Sequence, residues 1–96
     1  LLAPGGQMLI GDIPNISRRK RFFASDKGIA FYKQFMNVST PPSVQFNVQE
    51  QNSIDDAVLL GVVLRARASG FDAYLLPQAS GLPMANRRED ILFVRP

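Results

Sequence analysis

The sequence predicts an α/β fold made of a strand, an insertion carrying a helix, a second helix and a terminal antiparallel strand pair. Three observations predict it. Met8-Leu9-Ile10 is a short, continuous apolar run between a Gly5-Gly6 turn and Pro14. Residues 54–69 have helical length, follow a capping sequence and stop at Gly70. Two further apolar runs, 71–76 and 91–94, are joined by a stretch that Pro77, Gly81 and Pro83 break up. No crossover helix fits between them, which makes them antiparallel neighbours or near neighbours.

Leu1-Leu2-Ala3 followed by Pro4-Gly5-Gly6 reads as the last turn of a helix, its stop signal and the turn into a strand. A chain that opens on the end of a helix is expected to be a fragment of a larger domain. In the strand at 7–13, apolar residues run without alternation, as in a central strand covered on both faces. Pro14 has no N–H and disfavours helix at Ile13, so the strand stops there.

Residues 15–24 are polar and basic, ending in Phe22-Phe23. Ser25 can cap a helix over 26–37 with Asp26 in its first turn and Ile29, Tyr32, Phe35 and Met36 on one stripe. Pro41 and Pro42 break any continuation. Val44, Phe46 and Val48 alternate with Gln45, Asn47 and Gln49, which suggests a short strand or extended segment. Ser53-Ile54-Asp55-Asp56 opens the next helix, with Ser53 as cap. Residues 57–64 are apolar nearly all round, so this helix is expected to be well buried, with Arg65 and Arg67 favouring its C-terminal dipole.

Composition narrows the chemistry. Apolar residues make up 46% of 96 residues, enough to build one core. The chain has no cysteine and no histidine, which excludes disulfides, thiolate nucleophiles, histidine–cysteine zinc sites and an imidazole base. No metal ligands are assigned. No apolar run reaches the roughly 20 residues of a membrane span, so a cytoplasmic protein with no membrane partner is expected. The net charge of +3 is uneven, with Arg18-Arg19-Lys20-Arg21 the only dense basic run.

The residues Leu1-Leu2-Ala3-Pro4-Gly5-Gly6-Gln7-Met8-Leu9-Ile10-Gly11-Asp12 resemble the "leucine, x, proline, glycine, glycine" entry to the fifth strand of class I S-adenosylmethionine-dependent methyltransferases. In that family the sheet is parallel except for a final strand that inserts antiparallel. The helix at 54–69 is similar to the one after that strand, and 71–76 and 91–94 to the sixth and seventh strands. The resemblance implies the C-terminal part of a Rossmann-like methyltransferase sheet: residues 1–96 as one fragment of a single domain, with an insertion at about 15–52. It also implies S-adenosylmethionine as cofactor and a small-molecule acceptor for the parent protein. The family's glycine-rich cofactor turn and the acidic residue ending its second strand are missing here. Gly5-Gly6 precedes a strand instead of following one, so this chain alone is expected to bind the cofactor weakly at most and to be inactive.

Ligands of open α/β sheets bind beyond the carboxyl ends of strands. For the strand at 7–13 that places Asp12 as the candidate catalytic group, orienting an acceptor hydroxyl or amine or acting as its base, and Asn15 as a substrate contact. The bland counterpart is a strand-end turn in which both satisfy nearby N–H groups. Arg18 and Arg21, with Phe22-Phe23, suit a lid over an acceptor phosphate or carboxylate, a solvated basic segment, or a nucleic-acid patch. Arg87, in Asn86-Arg87-Arg88-Glu89-Asp90, suits an acceptor contact or an ion-pair cluster pinning the hairpin. The alternatives to a methyltransferase fragment are a basic α/β module binding nucleic acid through Arg18–Arg21 and a non-catalytic methyltransferase-like assembly domain. A fragment whose first strand has lost its parallel neighbour is also expected to self-associate.

Overall fold

Gly5, in the left-handed region at φ +78°, turns the chain into strand β1 (Gln7–Pro14). The Gly5 N–H donates to the Arg95 carbonyl at 2.7 Å and Gly6 donates to Ala3 at 2.8 Å, so the turn is tied to the far end of the chain. The computed structural model describes residues 2–48, 50, 52–82 and 84–96. After β1 come helices α1 (Ile16–Ala24), α2 (Asp26–Met36) and α3 (Asp56–Ala68), then strands β2 (Asp72–Pro77) and β3 (Arg88–Val94).

Among the described residues the fold is mixed α/β, with three helices and one three-stranded sheet ordered β1-β3-β2. The final strand pairs antiparallel with both others, so β1 and β2 run parallel to each other with β3 between them. In register, Met8, Phe93 and Ala73 lie side by side, as do Ile10, Ile91 and Leu75. Strand alternation puts these on one face, and α3 packs there through Leu59 and Val63 to form the core with Ala73, Ile91 and Phe93. Leu9, Leu92 and Tyr74 occupy the opposite face.

The terminal antiparallel pair and the helix over Asp26–Met36 stand as expected. Ser25 caps that helix, accepting from the Gly28 N–H, and Asn37 closes it in the left-handed region at φ +53°. Gly70, at φ +98°, follows α3 as the sequence required.

Other elements differ. The basic stretch forms helix α1, because Asn15 supplies an N-cap whose side chain accepts from the backbone of Ser17 and Arg18. The alternating segment forms no strand at 44–48, where Phe46 and Val48 are exposed and unpaired with the sheet; Gln49 lies outside the described residues. Leu2 and Ala3 carry no helix, and Leu1 lies outside the described residues. Asp55, not Ser53, caps α3 by accepting from Val58 N–H at 3.0 Å. The helix is also less covered than its composition suggested: Leu59 and Val63 are buried, whereas Val58, Leu60, Val62 and Leu64 are exposed, because the sheet covers one side only. For the same reason β1 is an edge strand with Met8, Leu9 and Ile10 exposed, not a strand covered on both faces.

Helices α1 and α2 pack closely where Gly28 meets the backbone of Phe22 and Phe23. Their aromatic rings interlock, Phe22 on Phe31 and Phe23 on Tyr32, both edge to face. Phe31 touches α1 through Phe22 yet remains 41% exposed, and Phe35, expected on the packed stripe, stands 76% exposed.

Candidate functional site

Because β1 and β2 are parallel, their carboxyl ends share one edge of the sheet. There the register of β1 shifts between Ile10 and Ile13, with Gly11 and Asp12 forming the irregularity. Asp12 takes a left-handed φ of +61°, tolerable for an Asp. Its N–H donates to Asp90 Oδ1 at 2.9 Å, and its carboxylate accepts from Arg88 Nη1 at 2.7 Å and from Gln78 Nε2 at 3.2 Å. Gln78, immediately after β2, also donates to Asp90 Oδ1 at 3.3 Å. Asp12 thus lies near the carboxyl end of β1, held by Gln78 and Arg88, with its side chain 61% exposed. Gln78 Oε1 is buried with no hydrogen-bond partner among the described residues. Within the grouping of Asp12, Gln78, Asp90 and Arg88, the Asp12 carboxylate faces solvent while Gln78 is buried.

Asn15 is placed differently. It is 1% exposed and all four of its side-chain hydrogen-bonding valences are used. Its carbonyl oxygen accepts from Ser17 N at 2.9 Å and Arg18 N at 3.4 Å; its amide donates to Asp56 at 2.8 Å and to Glu89. No group is left over for a substrate, and the turn-satisfying alternative describes what Asn15 does. It ties the end of β1 to α1, α3 and β3.

The basic run wraps around α1. Arg18 Nε donates to the Ala85 carbonyl at 3.2 Å, Lys20 pairs with Glu50 at 2.9 Å, and Arg21 forks onto both oxygens of Asp56. That hydrogen bond is the main influence raising the Arg21 pKa above its ordinary value, against an opposing effect of burial. It is also the main influence holding the Asp56 carboxyl below its usual range, with burial opposing and the Asn15 amide assisting. Three of the four charges are therefore engaged within the protein, which leaves Arg18 and Arg21 poor candidates for a lid and breaks up a continuous nucleic-acid patch.

Arg19 is the fourth. Its guanidinium lies over the Phe23 ring at 5.0 Å, and Arg87 lies over the same ring at 5.4 Å. Burial lowers the Arg87 pKa, with the neighbouring charges of Arg19 and then Arg88 adding to the effect. In the sequence Arg87 had a place in an ion-pair cluster around 86–90. The structure sends the pairing elsewhere: Arg88 reaches Asp12 across the sheet and Glu89 accepts from Asn15.

Sequence reasoning missed Gln78 and Arg19. Gln78 had one signal, its position directly after a strand-ending proline. Arg19 had none that set it apart from Arg18 and Arg21, because the missed helix α1 decides which way each points. Among the described residues no cluster of histidine, cysteine or carboxylate side chains could hold a metal ion, and no helix is long and apolar enough to cross a membrane. Comparison with protein-family models, with curated proteins and with solved structures yields no match.

Proposed function

We propose that this chain is the C-terminal part of a class I S-adenosylmethionine-dependent methyltransferase domain, and that it supplies the acceptor side of the site for a small molecule. One observation carries the reading: the last strand runs antiparallel between two mutually parallel strands. That order is uncommon for doubly wound sheets and is the arrangement the resemblance implies. The outer edge of β1, exposed at Met8, Leu9 and Ile10, is where a further parallel strand would pair.

The residues present do not form a cofactor cradle. The Gly5-Gly6 turn precedes a strand, and its two N–H groups are already bonded to Arg95 and Ala3. A phosphate- or nucleotide-binding turn needs such groups free at the start of a helix. The chain's own contribution lies at the carboxyl ends of β1 and β2. Asp12 accepts a hydrogen bond from the acceptor hydroxyl or amine and orients its lone pair; Arg88 and Gln78 hold the carboxylate in place. Methyl transfer depends chiefly on such in-line positioning, so the absence of histidine is no obstacle.

Calorimetric titration with S-adenosylmethionine tests this. The 96-residue chain should bind weakly or not at all, and the parent protein tightly, with Asp12→Asn in the parent slowing turnover while cofactor affinity stays unchanged. Tight binding by the 96-residue chain, or none by the parent, would overturn the reading.

A further inference from the structure

We propose that Arg19 and Arg87 form a binding site for a small amphiphilic anion, a phosphate or carboxylate attached to an aromatic ring. The site stands on its own geometry and does not require methyl transfer. Two guanidinium groups share the Phe23 ring. Among the described residues neither forms an ion pair; the three salt bridges there belong to Lys20, Arg21 and Arg88. Among the described residues the Arg87 guanidinium donates to the Asn86 side-chain oxygen alone, at 3.3 Å. Two neighbouring like charges, one of them partly withdrawn from water, repel each other without a counter-ion. A bound anion would relieve that repulsion, and planar guanidinium forks match phosphate and carboxylate oxygens.

The apolar part of the site adjoins the cations. Arg19 and Arg87 line a cleft of about 300 Å³ with Phe31, Phe35, Met36 and Met84. Phe31 and Phe35 stack with ring planes 11° apart and centroids 5.9 Å apart, presenting exposed rings to it. The same two arginines, together with Arg88, also line an adjoining cleft of about 360 Å³ that reaches Pro14 at the end of β1. Arg88 Nε is buried without a hydrogen-bond partner among the described residues, a further unused donor on that side. Such clefts are at the small end for ligand sites, which suits a single ring with a charged group and not an extended polymer.

Phenyl phosphate is the probe, titrated calorimetrically into the 96-residue chain beside inorganic phosphate and benzyl alcohol. It should bind at least about tenfold more tightly than either control. Arg19→Gln and Arg87→Gln should each weaken it by about tenfold or more. Phe35→Ala should weaken phenyl phosphate and leave inorganic phosphate unchanged, while Arg65→Gln, on α3, should change neither. Equal affinity for phenyl and inorganic phosphate, or equal loss on Arg65→Gln, would overturn the site. So would tight, salt-sensitive binding of a single-stranded oligonucleotide that competes with the probe. If a substitution unfolds the chain, amide chemical-shift mapping on the unaltered protein decides: shifts centred on 31–36 and 84–88 support the site, and shifts centred elsewhere refute it.

Discussion

Asn15 donates an amide hydrogen to the carboxylate of Glu89, 74 positions further along the chain, and both side chains are buried. Its second amide hydrogen goes to Asp56, and its carbonyl caps α1. One side chain thus stands where the end of β1, the start of α1, the start of α3 and the start of β3 converge. Asn15→Ala should cost about 3 kcal/mol, from the lost cap together with a buried Glu89 deprived of its donor. Thermal denaturation followed by circular dichroism should show a midpoint lower by roughly 15 °C. Asn15→Asp separates the two roles: it keeps the cap but sets a third carboxylate beside Asp56 and Glu89. Its defect should be severe at neutral pH and lessen in mild acid. A loss below about 1 kcal/mol in the alanine variant would mean that Asn15 is not what joins these elements.

Gly28 is fixed by a close approach. A Cβ there would run into the Phe22 carbonyl and lie 2.9 Å from the Phe23 Cα, both backbone atoms that cannot swing aside. Gly28→Ala should therefore separate α2 from α1 and cost about 3 kcal/mol, although alanine is the better helix former by about 1 kcal/mol. Gly61, also helical, has open space around the corresponding position. Gly61→Ala should stabilise α3 by up to about 1 kcal/mol. Denaturant midpoints of the two variants should move in opposite directions; movement in the same direction would refute the packing argument.

What the sequence disclosed was local. Caps, glycines and prolines located α2, the end of α3 and the antiparallel pair of β2 and β3. The position of Asp12 followed from where β1 had to stop. Helix α1 was hidden because its cap, Asn15, also reads as a strand-end turn residue, and four consecutive cations mask any apolar period. The burial of α3 was misjudged because an all-round apolar helix implies cover on all sides, and periodicity carries no information on whether that cover lies in this chain. Partnerships between distant residues, such as Arg88 with Asp12 or Arg19 with Arg87, depend on strand order and were out of reach.

The Arg21–Asp56 pair gives a pH dependence with a definite sign. The folded-state pKa of Asp56 is depressed, chiefly by the Arg21 hydrogen bond. Its contribution is therefore fully present above the ordinary carboxyl pKa of about 3.9, and is lost as pH falls through the lower folded value. Arg21 stays protonated throughout, so its raised pKa adds no window of its own. The pair is half exposed, so its effect should not exceed about 1 kcal/mol. Urea melts at descending pH should show part of the acid loss abolished in Asp56→Asn. An unchanged acid limb would remove this pair from the account.

Among the described residues strand β1 pairs with β3 alone, and Met8, Leu9 and Ile10 stand 45%, 58% and 45% exposed. An apolar edge of this kind offers unpaired backbone groups to a second chain, and no charge or proline guards Met8 to Ile10. The 96-residue chain should therefore self-associate, with a mean mass in sedimentation equilibrium that rises with concentration. Leu9→Lys places a charge on that edge. It should weaken association by about tenfold or more, as expected when the roughly 1.5–3 kcal/mol from burying a leucine is lost. Exposed α3 offers a rival surface through Leu60 and Leu64. Leu64→Lys is the discriminating variant: it should leave association largely intact if β1 is the contact. Loss of association in Leu64→Lys with none in Leu9→Lys would place the contact on the helix and remove the argument that β1 awaits a further strand.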